Sequence, residues 1–158
     1  MSYHIDIQHA CDEPLPVADE TLTQWAVLPL KPHKDSAELT LRFVDSEEMT
    51  HLNHTYRHKN KATNVLAFPV NLPQTIELEY PLLGDVIICP AVLKEESLIQ
   101  NKPLTAHCAH IVIHGVLHLL GYDHINEEDT NIMQALEIEL LAKLGFENPY
   151  KTEGNEIE

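Results

Sequence analysis

Pro103-Leu-Thr-Ala-His107-Cys-Ala-His110-Ile-Val-Ile-His114-Gly-Val-Leu-His118-Leu-Leu-Gly121-Tyr-Asp-His124 is the stretch from which the rest of the chain can be read. Leu104, Ile111, Val112, Ile113, Val116, Leu117, Leu119 and Leu120 surround a helical projection on most sides. Such a helix belongs at the centre of a domain. Pro103 can open it and Gly121 can close it. His114 and His118 are four positions apart, so both rings share one face. A left-handed turn at Gly121 would bring His124 back toward them. Three neutral imidazoles that leave a fourth position for water are the ligand set of a catalytic zinc, one per chain.

Eleven histidines in 158 residues would produce some clusters by chance. Burial weighs against chance here, because an unsatisfied polar ring inside an apolar helix costs about 1–3 kcal/mol, and a metal removes that cost. His110 extends the run of i, i+4 neighbours, but residues eight apart on a straight helix are separated by about 12 Å of rise. Bonds of about 2 Å cannot span that, so His114, His118 and His124 are the expected ligands. His110 and His107 are expected to be hydrogen-bonding supports.

Outward from this helix, Tyr3 to His9 places Ile5 and Ile7 on one face, a short strand ended by Pro14 and Pro16. Val17 to Leu28 reads as a helix, and Ala37 to Val44 alternates as a half-buried strand. Asp45 and Glu48 have capping-box spacing and start a helix reaching about Tyr56. Val65 to Val70 is a strand that Pro69 confines to an edge, whereas Leu83 to Cys89 is apolar enough to be central. Asn71 to Pro81 reads as a long loop. Pro90 opens a helix to about Ile99, and Asn126 caps a last one with Ile132, Met133, Leu136, Leu140 and Leu144 on its core face. The expected architecture is one α+β or α/β domain over residues 1–150. It consists of a small mixed sheet of about four strands packed with about five helices around the histidine-bearing one. A polar tail, expected to fray, covers residues 151–158.

Composition narrows the function. Cys11, Cys89 and Cys108 are odd in number and lack Cys-x-x-Cys spacing, which argues against a disulfide framework and a thiolate zinc site. The N-terminus has no basic region followed by an apolar run, and the longest apolar segment is too short to span a membrane. A cytoplasmic protein without a membrane partner is therefore expected. The net charge of −15 repels phosphate over most of the surface, so any nucleic-acid reading needs a local exception.

The histidine spacing matches the zinc-protease pattern His-Glu-x-x-His-x-x-Gly-x-x-His, except that Gly115 stands where the glutamate base would be. A peptidase reading thereby loses its main catalytic group. Zinc can still lower the pKa of bound water to about 7, and an anionic phosphorus substrate would want a cation nearby. Arg57-His58-Lys59-Asn60-Lys61 carries three of the ten basic residues of the chain. Arg57 could grip a phosphate through two parallel bonds, with Lys59 and Lys61 continuing along the backbone. The competing view is a solvated loop, and spacing alone does not decide between them.

From Glu38 to Tyr150 the chain resembles the YbeY family of bacterial rRNA-maturation endoribonucleases. The resemblance is carried by Leu52-Asn-His-Thr-Tyr-Arg57-His-Lys-Asn-Lys-Ala-Thr-Asn-Val-Leu-Ala-Phe-Pro69, Leu83-Gly-Asp-Val-Ile-Ile-Cys89 and the His114 to His124 motif. The chain departs from the common family pattern at Asn64, Ala67 and His58, where aspartate, serine and glycine are usual. The resemblance implies that His114, His118 and His124 bind zinc and that Arg57 is the functional arginine beside the substrate phosphate. Asp85, in the second shared segment, is a supporting candidate together with His110, although a turn-capping role explains Asp85 equally well. The implied activity is zinc-dependent, single-strand-specific RNA cleavage in 16S rRNA 3′-end maturation and ribosome quality control. The implied partners are rRNA and ribosomal proteins of the small subunit, with no DNA. The alternatives are a peptidase-like hydrolase lacking its glutamate and a zinc-containing assembly factor without catalysis.

Protein purified without added metal is expected to carry near-stoichiometric zinc by elemental analysis. Retention of that zinc after replacement of all three histidines would refute the assignment.

Overall fold

The computed structural model describes residues 2–70 and 81–150. The elements are β1 (Ser2–Ala10), α1 (Asp19–Val27), β2 (Ser36–Val44), α2 (Ser46–Arg57) and β3 (Val65–Pro69). They continue with β4 (Leu82–Ile88), α3 (Pro90–Ile99), α4 (Leu104–Leu119) and α5 (Glu127–Lys143). The order matches the one expected from sequence. The long loop expected from Asn71, apart from Pro81, and the tail beyond Tyr150 lie outside the described residues.

The four strands form one mixed sheet in the order β1-β2-β4-β3. β1, β2 and β4 run parallel, and β3 pairs antiparallel with β4 from Val65 opposite Ile88 to Pro69 opposite Gly84. Pro69 cannot donate to a ladder, and it stands on the edge strand as its chemistry requires. β4, with Val86, Ile87 and Ile88 buried, is interior.

Strand alternation gives the sheet two apolar faces. On one face, Leu39, Leu41, Phe43, Val86 and Ile88 join Leu22 and Trp25 of α1, the buried face of α4, and Met133, Leu140 and Leu141 of α5. On the other, Val44, Leu66, Ile87 and Cys89 pack with Met49 of α2. Each Val, Leu, Ile, Phe or Met side chain among these contributes about 1.5–3 kcal/mol on full burial. α4 is the axis of the larger cluster, with Cys108, Ala109, Val112, Ile113 and Val116 fully removed from solvent. Burial also pushes the Cys108 thiol up to about 12, which leaves it a packing residue.

Two local expectations are corrected. Asp45 caps α2 by accepting from the Glu48 backbone N–H at 2.8 Å, but the Glu48 carboxylate pairs with Arg42 at 3.0 Å, so only half of a capping box forms. On α5, Ile132 is 47% exposed while Glu137 is completely buried. The buried stripe runs through Met133, Glu137, Leu140 and Leu141, and at 100° per residue Ile132 lies roughly 140° from Glu137.

α4 meets the sheet at Gly115. A Cβ there would lie 2.5 Å from Val86 Cγ1 and 3.5 Å from Val65 Cγ2. Helix propensity favours alanine over glycine by about 1 kcal/mol, whereas overpacking a rigid site costs about 1–3 kcal/mol. Val86 is β-branched and fully buried, so it has little freedom to give way. Gly115→Ala is therefore expected to lower unfolding stability by up to about 2 kcal/mol in urea titrations. Adding Val86→Ala should make the alanine at 115 less costly than it is alone.

Candidate metal centre

Gly121, with φ of +105°, ends α4 in a Schellman arrangement. The Tyr122 N–H donates to the Leu117 carbonyl at 3.1 Å and the Gly121 N–H to the His118 carbonyl at 3.0 Å. This reversal returns the chain to the helix and places His124 against its last turn. Ring centroids are 4.6 Å apart for His114 and His118, 5.1 Å for His118 and His124, and 6.0 Å for His114 and His124. One ring nitrogen from each lies within 4.8 Å of the others. The group is half-buried on the helix and open at exposed His124.

The nitrogens are oriented as ligands. His114 Nε2 and His118 Nε2 face each other at 3.1 Å. Tetrahedral coordination with bonds of about 2.0–2.1 Å puts neighbouring ligands about 3.3 Å apart, so the pair fits a zinc ion. His114 Nδ1 lies 2.5 Å from Glu137 Oε2, and a carboxylate acceptor there requires the proton on Nδ1. The His114 Nε2 then carries a lone pair that points into the cluster, where it accepts from His118 Nε2. Burial, followed by the neighbouring His114 and His124, holds the His118 pKa below its ordinary value, which keeps that ring neutral and able to ligate.

Glu137 was not anticipated from the sequence. The available signal was a carboxylate at a core position of α5, which needs a partner. It has three: His114 Nδ1, His110 Nε2 at 3.2 Å, and the Tyr150 hydroxyl, which donates to Oε1. Burial alone would raise the Glu137 pKa, but hydrogen bonds from His110 and His114 bring it down from 4.5 to about 2. Burial and the adjacent carboxylate raise that of Tyr150. His110, His114 and Glu137 also bring three ligand-type atoms within 4.8 Å of one another. Both Glu137 oxygens are engaged there by hydrogen bonds, and His114 contributes the nitrogen turned away from the open cluster. His107 stands further back, with Nε2 at 2.9 Å from Glu96, which in turn accepts from Asn64 at 3.2 Å.

Gly115 follows His114 but faces the sheet, so the position of the protease glutamate is filled by core packing. Arg57 is the last residue of α2, and Arg57, Lys59 and Lys61 are all exposed. Among the described residues none of the three has an ion-pair partner. Asn53 is buried and donates to the Lys61 carbonyl at 2.8 Å, tying the loop to the helix. His58 takes a left-handed conformation, φ of 61°, where the residue type without a Cβ is most at ease. Asp85 sits within β4 opposite Phe68, which replaces the turn-capping alternative. Its neighbour Val86 meets α4, so Asp85 projects from the other face of the sheet.

The depressed Glu137 pKa fixes a pH dependence. The stability its ionised form contributes is fully present above pH 4.5 and is lost as pH falls toward 2. Urea unfolding of zinc-free protein across that range should show the decline, and Glu137→Gln should flatten it.

The family model described as Endoribonuclease YbeY matches residues 12–145. Similar proteins include an endoribonuclease YbeY of Legionella pneumophila, 63% identical over 158 residues and covering 100% of both chains. Another, from Pseudomonas fluorescens, is 51% identical over 146 residues, 92% of this chain and 95% of the relative. The solution structure of a Thermotoga maritima protein aligns with a TM-score of 0.58 at 22% identity, covering 92% of this chain and 99% of that one, and supports the fold. On the extent of these matches, the chain belongs to the YbeY endoribonuclease family.

Proposed function

We propose that this protein is a zinc-dependent endoribonuclease that cuts single-stranded RNA, acting on 16S rRNA 3′ ends and in ribosome quality control. The observation that carries the metal half is the pair of Nε2 atoms facing each other at 3.1 Å, with His114 backed by a buried carboxylate. The RNA half is supported by membership of a family described as endoribonucleases.

His114, His118 and His124 would hold the ion. Bound there, zinc supplies a Lewis acid that can activate water or polarise a phosphoryl oxygen. Arg57 binds the scissile phosphate in a two-pronged geometry and stabilises the charge that builds on its oxygens. Lys59 and Lys61 bind the neighbouring backbone phosphates, and Asn53 holds their loop in place. With a net charge of −15, this short basic strip is the local exception through which RNA binds. Small-subunit ribosomal proteins that present the rRNA are consistent with such weak, local contacts, as is a cytoplasmic site of action. No described helix is long and apolar enough to cross a membrane. The peptidase reading loses support, since position 115 is packed against Val86 and has no room for a glutamate.

Purified wild type is expected to cleave single-stranded RNA and leave casein intact. His114→Ala should fall to background, and Arg57→Ala should lose about 10²–10³-fold in kcat while remaining folded by circular dichroism. Full activity in folded Arg57→Ala would remove its catalytic role, and cleavage surviving in both variants would identify a contaminating nuclease. DNA of the same sequence separates the nucleophiles: efficient cleavage excludes attack by the ribose 2′-hydroxyl.

A further inference from the structure

The carboxylate of Glu137 is completely buried, yet it belongs to neither the sheet core nor the three-histidine group. Its two oxygens divide their partners. Oε2 takes His114 Nδ1, while Oε1 takes His110 Nε2 and the Tyr150 hydroxyl. The partners come from successive turns of α4 and from the segment after α5, so the carboxylate is gripped from two directions. His110 Nε2 and the Tyr150 oxygen are themselves 3.2 Å apart, which closes the group into a compact network.

We propose that Glu137 is the positioning residue of the metal centre, holding His114 in the tautomer with Nδ1 protonated so that its Nε2 lone pair is delivered to the ion. His110 and Tyr150 complete this device by preventing the carboxylate from rotating away. The proposal rests on the zinc reading above and deepens it. A neutral imidazole carries one proton on either nitrogen, and only one of the two tautomers leaves Nε2 able to ligate. Without a fixed acceptor at Nδ1, the His114 ring can flip or shift its proton to the nitrogen facing His118. A carboxylate acceptor also makes the imidazole a stronger donor to metal. The arrangement cannot be the incidental pairing of a surface acid, because a buried carboxylate with any of its partners missing is strongly destabilised. Tyr150 thereby links metal binding to the packing of the segment that follows α5.

The test uses the full chain and zinc alone. Long-range nitrogen-15 spectra of wild type should show His114 protonated at Nδ1 in both the zinc-free and the zinc-loaded protein, with Nε2 shifted on loading. By chelator competition, Glu137→Gln, which keeps the shape and an acceptor oxygen but not the charge, should bind zinc about 10–100-fold more weakly. Tyr150→Phe should show a smaller loss in the same direction. A His114 proton on Nε2 in the zinc-free protein, or Glu137→Gln binding zinc within about twofold of wild type, would overturn the proposal. If wild type took up no zinc, the metal reading would fall and this one with it. Zinc uptake by wild type with unchanged uptake by Glu137→Gln would fell this proposal alone. The tautomer of wild type needs no variant, so the result does not depend on whether Glu137→Gln folds.

Discussion

The close approach of α4 to the sheet at Gly115 is the constraint from which the rest of the structure follows. With no Cβ at that position, the helix settles onto Val86 and Val65, across the two strands that include the antiparallel edge. Once that face of α4 is turned to the sheet, the apolar residues at the surrounding positions are committed to α1, α5 and the core. The histidines occupy what remains, a strip along one side of the helix. Core packing and the candidate metal centre are thus two faces of one helix, and its rotation about its own axis sets both.

The second constraint is electrostatic. A carboxylate removed entirely from water is tolerated only when its oxygens are occupied, and Glu137 is occupied by two histidines and a tyrosine. The same bonds that make the burial tolerable also orient His114. An outer acceptor for a metal-ligating histidine is a recurrent feature of metal sites, and in the proposed centre that place is taken by a carboxylate at the middle of the α5 core face. A similar, smaller unit stands nearer the start of α4, where Glu96 joins His107 to Asn64 at the entry to β3. Against the burial that would raise it, bonds from His107 and Asn64 hold the Glu96 pKa below its ordinary value.

The acidity of the chain makes its short basic segment informative. Arg57, Lys59 and Lys61 follow the end of α2, where His58 reverses the backbone and Asn53 secures the loop. Charge on such an anchored loop acts at a defined place, as the proposed contact with a phosphate backbone requires of an otherwise repulsive surface.

The order of the nine elements among the described residues, the edge position of β3 and the central place of α4 were all legible in the sequence. They are written in local signals: two-residue and helical periodicity, a proline that cannot join a ladder, and a glycine able to take positive φ. The same holds for the grouping of His114, His118 and His124, because helical spacing and one turn suffice to bring them together. The role of Glu137 was not legible, nor was its burial in place of Ile132, because its partners lie 23, 27 and 13 positions away and only packing joins them. Likewise Gly115 reads in sequence as a missing base, and only the sheet beneath it shows that no side chain fits there. Local periodicity determined which residues could share a face; the tertiary structure decided what each face would meet, because burial and hydrogen-bond satisfaction are properties of the whole packed chain.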